Sequence, residues 1–210
     1  LAQDNDAVLV ATGLQELRGL QLGLDGTTAV VQGIEFLDHV YRDTVRVDGE
    51  NIIVIGGGNT AMDAARSALR LGAASVRIVY RRTRDEMPAI KEEIDETLEE
   101  GVTIDYLTQP IQLIEEPGDG RHRYYRLRCV RMELGEPDES GRRSPVEIED
   151  SGFELDCNLV ILALGQSPDI SVFPEGTEVR EGTQLLGLLE KPVFAVGDLA
   201  TREGTVAAAI

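Results

Sequence analysis

An α/β fold with a parallel sheet is what this sequence predicts, and three observations point to it. The runs Asn51-Ile-Ile-Val-Ile55 and Asn158-Leu-Val-Ile-Leu-Ala163 are apolar without alternation, as in strands buried on both faces. The first run passes straight into Gly56-Gly57-Gly58-Asn59-Thr60-Ala61, whose G-x-G-x-x-A spacing is that of the turn opening a dinucleotide-binding βαβ unit. Between Gln109 and Asp156 the pattern changes to extended stretches separated by turn clusters, which predicts an antiparallel meander. Together these describe a Rossmann-like NAD(P)-binding domain, a parallel sheet plus an antiparallel β meander.

In chain order, Ala7-Val-Leu-Val10 reads as a buried strand that ends in Ala11-Thr-Gly13. Residues 14–28 are glycine-punctuated and loop-like. Ile34, Phe36, Leu37, Val40 and Tyr41 then predict a short amphipathic helix closing at Asp43, and residues 14–50 as a whole are expected to be a connector. At the glycine turn, Gly56 lets the chain turn off the strand, Gly58 removes the Cβ that would block a pyrophosphate, and Ala61 keeps the helix close to the sheet. Ala61, Ala64, Ala65, Ala68 and Leu69 continue at helical spacing until Gly72 stops them. The N–H groups at the start of that helix, with its dipole, favour a phosphate.

Ser75-Val-Arg-Ile-Val-Tyr80 predicts the second strand, and Arg81, Arg82 and Arg84 stand just beyond it. Arg81 lies 25 positions after Gly56 (81 − 56), near the roughly 20 expected of the residue that reads the adenosine ribose. An acidic residue there would accept the 2′-hydroxyl of NAD, whereas arginine suits the 2′-phosphate of NADP. Met87-Pro88 is expected to begin the next helix, with Ile90, Ile94 and Leu98 as its apolar stripe and Gly101 as its end. Val102 to Leu107 predicts the third strand.

In the meander, turns are expected at Glu116–Gly120, Gly135–Gly141 and Glu149–Gly152. The apolar phase slips by one between Cys129 and Val130, which predicts a β-bulge or two buried faces. His122, Arg123, Tyr124, Tyr125 and Arg126 read as an exposed strand face. If Asn158–Ala163 joins the same sheet, then Gly56, Arg81 and Gly165 all follow carboxyl ends of strands, where open α/β sheets bind ligands. Gly165 and Gln166 would then line the crevice towards the nicotinamide. Pro192–Gly197 with Asp198 reads as a strand ending in Gly-Asp, followed by a small-residue helix start at Gly204-Thr205-Val206.

The net charge of −18 argues against nucleic acid as a partner. There is no run of eighteen apolar residues and no charged-then-apolar leader, so a cytoplasmic protein without a membrane span is expected. Cys129 and Cys157 form no C-x-x-C, and no grouped metal ligands stand out, so no metal site is predicted. Two partly buried thiols are the expectation, with a long-range disulfide left open. The chain opens at Leu1 and stops within Ala207-Ala-Ala-Ile210, so it is expected to be a piece of a longer protein.

Six motifs in order, Gly56-Gly-Gly-Asn-Thr-Ala-Met-Asp63, Val79-Tyr-Arg-Arg82, Met87-Pro-Ala89, Glu100-Gly-Val102, Ala163-Leu-Gly-Gln166 and Val196-Gly-Asp198 with Gly204-Thr-Val206, cover nearly the whole chain. They resemble the small (beta) subunit of NADPH-dependent glutamate synthase and its relatives, two-dinucleotide flavoproteins. The resemblance implies an oxidoreductase in which NADPH gives a hydride to FAD, whose electrons pass on to iron–sulfur clusters and a partner. It implies pyrophosphate contacts from Gly56, Gly57, Gly58, Asn59, Thr60 and Ala61, and 2′-phosphate contacts from Arg81, Arg82 and Arg84. It implies FAD contacts from Gly13, Gly197, Asp198, Thr205 and Val206. On this basis residues 1–13 are the end of an FAD-binding domain, 51–165 the NADPH-binding domain with its meander at about 109–156, and 166–210 the truncated return into the FAD-binding domain. The partners implied are the rest of its own chain, with FAD-binding and iron–sulfur domains, and a large catalytic subunit. Hydride transfer between cofactors needs no side-chain acid or base, so no catalytic residue is expected. The isolated piece is expected to be inactive and not to retain FAD. A non-catalytic NADP(H)-sensing module and a thioredoxin-reductase-like enzyme with its dithiol elsewhere are the rival readings.

Overall fold

The computed structural model describes residues 6–24, 28–117, 123–137, 143–169, 171, 173, 178–179, 184–186 and 193–201. The strands run β1 (Val8–Val10), β2 (Glu16–Leu17), β3 (Val30–Gln32), β4 (Asn51–Ile55), β5 (Ser75–Val79), β6 (Thr103–Asp105), β7 (Thr108–Glu116), β8 (Tyr124–Pro137), β9 (Arg143–Glu147), β10 (Phe153–Cys157), β11 (Leu159–Leu162), β12 (Gln166–Ser167), β13 (Glu178–Val179), β14 (Gln184–Leu186) and β15 (Val193–Ala195). The helices are α1 (Gly33–Tyr41), α2 (Asn59–Arg70), α3 (Lys91–Glu99) and α4 (Asp198–Thr201), with a 3₁₀ turn at Arg84–Glu86. The chain divides into two compact units, Gly19–Gly165 and a smaller one assembled from Leu1–Arg18 and Gln166–Ile210.

In the larger unit a five-stranded sheet has the order β3-β11-β4-β5-β6, every neighbour parallel. Its apolar strands bury both faces. Ile52 and Val54 of β4 join Phe36, Met62, Ala65, Ile78, Ile94 and Ile161 in the core on the helix side. Ile53 and Ile55 join Leu113, Tyr125, Leu127, Val160 and Leu162 on the other. Each Val, Leu, Ile, Phe or Met side chain among them stabilises the fold by about 1.5–3 kcal/mol over leaving it in water, so the unalternated runs answer to two cores. The second core is closed by the meander, a sheet of order β10-β8-β7 with β9 paired to β8. Residues after β6 thus return to β11 through antiparallel strands that cover the sheet where a Rossmann half would place helices.

Several expectations are corrected by long-range contacts. The stretch expected as a connector supplies β3, paired in register with β11 at Val30↔Val160, and α1, which buries Phe36. Ile34 and Tyr41 of α1, read as apolar-face residues, are exposed. The loop-like 14–28 segment contains β2, which pairs with β12 inside the smaller unit. Helix α3 begins at Lys91, not at Met87, and its buried positions are Ile94 and Thr97 while Ile90 and Leu98 are exposed. Strand β8 runs through Gly135 to Pro137, where a turn was expected. A Cβ on Gly135 would stand 2.9 Å from Val146 of β9, so the glycine admits the neighbouring strand.

The phase slip at Cys129 leaves both Cys129 and Val130 buried, and a register shift lies on the facing strand β7, between Pro110 and Gln112. Tyr125, read as part of an exposed face, is fully buried; Tyr124 is exposed, and His122 lies outside the described residues. Cys129 and Cys157 are free and buried, and burial pushes both thiols up to about 12.

Candidate functional site

At the carboxyl end of β4 the chain is held by backbone contacts on both sides. Gly56 N–H donates to Val79 O at 3.2 Å, and Ala163 N–H donates to Ile55 O at 2.8 Å. This brings the end of β11 so close that a Cβ on Gly56 would lie 2.1 Å from Ala163 O, and the Gly56 φ of 147° is one that side-chain-bearing residues avoid. At Gly57 a Cβ would meet the Tyr80 ring at 2.6 Å. Gly58 differs: its φ of −92° and ψ of 177° are ordinary, and a Cβ there would meet nothing nearer than Pro88 Cγ at 4.0 Å. Packing accounts for the first two glycines and leaves the third unexplained.

Gly58 is also the N-cap of α2, and no side chain caps it. In the first turn of α2 the Ala61 N–H donates to Gly58 O at 2.9 Å, while the N–H groups of Asn59 and Thr60 precede the first intrahelical bond. In α2 that turn carries no acidic residue, whereas α3 opens with Glu92 and Glu93. In a chain of net charge −18, a bare positive helix end is a place for an anion. Ala61 is fully buried against the sheet, and the Thr60 methyl packs where Gly33 begins α1. Asn59 uses its side-chain oxygen as acceptor for Ile90 N–H at 2.9 Å, while Gly57 O accepts from Ala89 N–H at 3.1 Å. These two bonds hold Met87–Ile90 extended beside the glycine turn, which is why α3 starts late.

The turn after β5 is built differently, from side chains. The Tyr80 hydroxyl donates to Glu86 O at 2.7 Å, and Thr83 with Glu86 forms a reciprocal capping box over the 3₁₀ turn. Arg82 is turned inward, 6% exposed, and its Nε donates to Arg143 O on β9 at 2.7 Å. Arg81 and Arg84 stay exposed. Arg84 pairs with Asp95 of α3, a hydrogen bond that raises the arginine's pKa above its ordinary value. Nearby, burial raises the Tyr106 phenol and the Arg84 charge opposes that rise; the Tyr106 hydroxyl is buried without a hydrogen-bond partner among the described residues. The structure therefore brings Gly56–Ala61, Arg81 and Arg84 to the carboxyl ends of β4 and β5, and withdraws Arg82 into a supporting position.

Gly165, with φ 83°, closes the larger unit after β11, and Gln166 begins β12. In the smaller unit β1 and β15 are parallel neighbours, with Val10 opposite Ala195 and Val196 N–H donating to Val10 O at 3.0 Å. Gly13 follows β1, and Gly197 and Asp198 follow β15, so the three lie beyond the carboxyl ends of adjacent strands. The Asp198 Oδ1 is buried and accepts no hydrogen bond among the described residues. Such an orphaned acceptor costs about 1–3 kcal/mol unless a donor reaches it. Thr205 and Val206 lie outside the described residues.

A cavity of about 380 Å³ among Ala29, Glu50, Tyr125 and Asn158 lies at the amino ends of β3, β4 and β11, the opposite end of the sheet from the glycine turn. Sequence reasoning missed Tyr80, Ala163 and Asp95 as parts of the site. The Met87-Pro-Ala89 motif carries the signal of a proline opening a helix, which conceals the hydrogen bond of Ala89 to Gly57 O.

The sequence pattern of the family described as pyridine nucleotide-disulphide oxidoreductase matches residues 2–210. The chain is 40% identical over 219 residues to the NADP(+)-dependent formate dehydrogenase subunit beta of Moorella thermoacetica, covering 100% of this chain and 30% of that protein. It is 35% identical to the glutamate synthase [NADPH] small chain of Azospirillum brasilense, covering 100% of this chain and 47% of that one. It therefore spans about half or less of the length of these relatives. Among solved structures, T. acidophilum thioredoxin reductase superposes with a TM-score of 0.59 at 18% identity, over 96% of this chain and 60% of that one, a likeness of fold. With the glycine turn, the parallel sheet and the meander in place, the chain belongs to the pyridine nucleotide-disulphide oxidoreductase family.

Proposed function

We propose that this chain binds NADP(H) at the carboxyl end of its parallel sheet and, within a longer flavoprotein, serves hydride transfer from NADPH to FAD and on to an iron–sulfur or protein acceptor. The observation that carries the reading is the turn after β4. An uncapped helix with no acid in its first turn is preceded by a glycine that neither backbone conformation nor packing requires. Residues 56–61 would hold the pyrophosphate, with first-turn N–H groups of α2 as donors. Arg81 and Arg84 would meet the 2′-phosphate; Arg82, buried on Arg143 O, holds the turn that presents them. The names of the relatives, NADP(+)-dependent and [NADPH], support the same nucleotide.

For the flavin, the buried Oδ1 of Asp198 fits a hydroxyl donor of a polyol, and Gly13, Gly197, Thr205 and Val206 are assigned to the same cofactor. Residues 1–13 and 166–210 would then belong to the FAD-binding part. The NADPH-binding part would begin before Asn51, because β3 belongs to its sheet and α1 to the same compact unit. Gly165 and Gln166 are assigned to the nicotinamide end by their place after β11. When bound, the two cofactors supply the hydride donor and acceptor. The chain's own groups bind, orient and exclude water, and none is required to carry a proton.

Titration of the protein with NADP⁺ and NAD⁺ tests the first half of this reading. Binding of NADP⁺ at least about tenfold tighter is expected, from one added charge-assisted contact; equal or tighter NAD⁺ binding overturns it. Reduction of bound flavin by NADPH in the full-length protein separates hydride transfer from nucleotide sensing.

A further inference from the structure

Two arginines near α3 have unlike surroundings. Arg66 of α2 is 16% exposed and meets three carboxylates, Glu93 at 2.7 Å, Glu96 at 2.9 Å and Glu100 at 2.7 Å. It locks α2 to α3. Among the described residues Arg84 forms an ion pair with one carboxylate, Asp95, in a pair whose side chains are 41% and 57% exposed. An ion pair this open to water is weak. The backbone under Arg84 is nonetheless fixed, because Thr83, Glu86 and the Tyr80 hydroxyl hold the 3₁₀ turn. The side chain of Arg84 can thus change partner without moving the turn.

Resting on the NADP(H) reading above, we propose that Asp95 is an internal competitor for the 2′-phosphate, holding Arg84 until a phosphate dianion takes it. A phosphate offers more charge and more acceptor oxygens than one carboxylate, so it can displace Asp95. A ribose 2′-hydroxyl offers neither, so with NAD the Arg84–Asp95 pair stays closed. Asp95 therefore lowers affinity for NADP(H) alone and sets the ratio by which the site prefers it to NAD(H). In a chain this acidic, the pair also keeps Arg84 from engaging another carboxylate of α3, where Glu92 and Glu99 are exposed as well.

The test measures dissociation constants for NADP⁺ and NAD⁺ with the wild-type protein, Asp95→Asn, Arg84→Ala, the double variant and Glu99→Gln. Asp95→Asn is expected to tighten NADP⁺ about fivefold, the upper range of an exposed pair, and to leave NAD⁺ unchanged. In the Arg84→Ala background the same substitution should do nothing, and Glu99→Gln, which removes one exposed charge from the same helix, should also do nothing. Unchanged or weaker NADP⁺ binding in Asp95→Asn overturns the proposal. So does equal tightening in the double variant or in Glu99→Gln, which would mean a general charge effect. A wild-type protein without preference for NADP⁺ overturns the nucleotide reading itself; a preference that persists while Asp95→Asn changes nothing overturns only the role of Asp95.

Discussion

The turn after β4 and the turn after β5 end neighbouring strands of one sheet, and they are held by different kinds of matter. Backbone and missing side chains shape the first: Gly56 fits against Ala163 O, and Gly57 fits under Tyr80. Side chains shape the second, where Tyr80, Thr83 and Glu86 each spend a polar group on the turn itself and Arg82 ties it to Arg143 O of β9. A turn of the first kind has almost no alternative conformation. The second kind anchors some of its side chains and leaves others to exchange partners, so under the proposed function it would discriminate among ligands that the first merely accommodates.

If that contrast is right, substitutions should divide cleanly. The largest effect is expected for Gly56→Ala, which drives a Cβ into a backbone oxygen at a φ of 147°. A loss of about 4 kcal/mol, or no folded protein, should appear in urea denaturation; a variant of native stability would mean that β11 does not close on β4 as described. Next comes Arg82→Leu, which leaves Arg143 O without its buried donor. About 2 kcal/mol of stability should go, and a preserved denaturation midpoint would return Arg82 to the ligand-facing group. Gly58→Ala should be the mildest and the most informative. Stability should hold within about 0.5 kcal/mol, since the backbone there is ordinary, while NADP⁺ binding weakens about tenfold because a methyl group displaces a phosphate contact. A clear loss of stability instead would make Gly58 a packing residue like its neighbours.

The same contrast explains what the sequence disclosed. Strands β4, β5 and β11 and the glycine turn were legible because burial on both faces leaves a local apolar signature and tight turns select glycine. Strand β3 was not, because three residues carry no periodicity and its partner Val160 is 130 positions on (160 − 30). The start of α3 was misread because Pro88 obeys a helix-start rule locally, while Gly57 O and Asn59 Oδ1 hold the adjoining backbone extended from another element. Arg82 was grouped with Arg81 and Arg84 because all three follow one strand. The carbonyl of Arg143, 61 positions away, divides them.

The place of β11 has a consequence for the order of assembly. It sits between β3 and β4 although it is the last of the five to be made. Strands β4, β5 and β6 can pair as they emerge, but β3 and α1 have no sheet to join until the meander between residues 108 and 157 has been synthesised and β11 has slotted in beside β4. Closing so long a loop is slow relative to local pairing. The glycine turn, whose Gly56 lies against Ala163, is therefore completed last, once the sheet is whole.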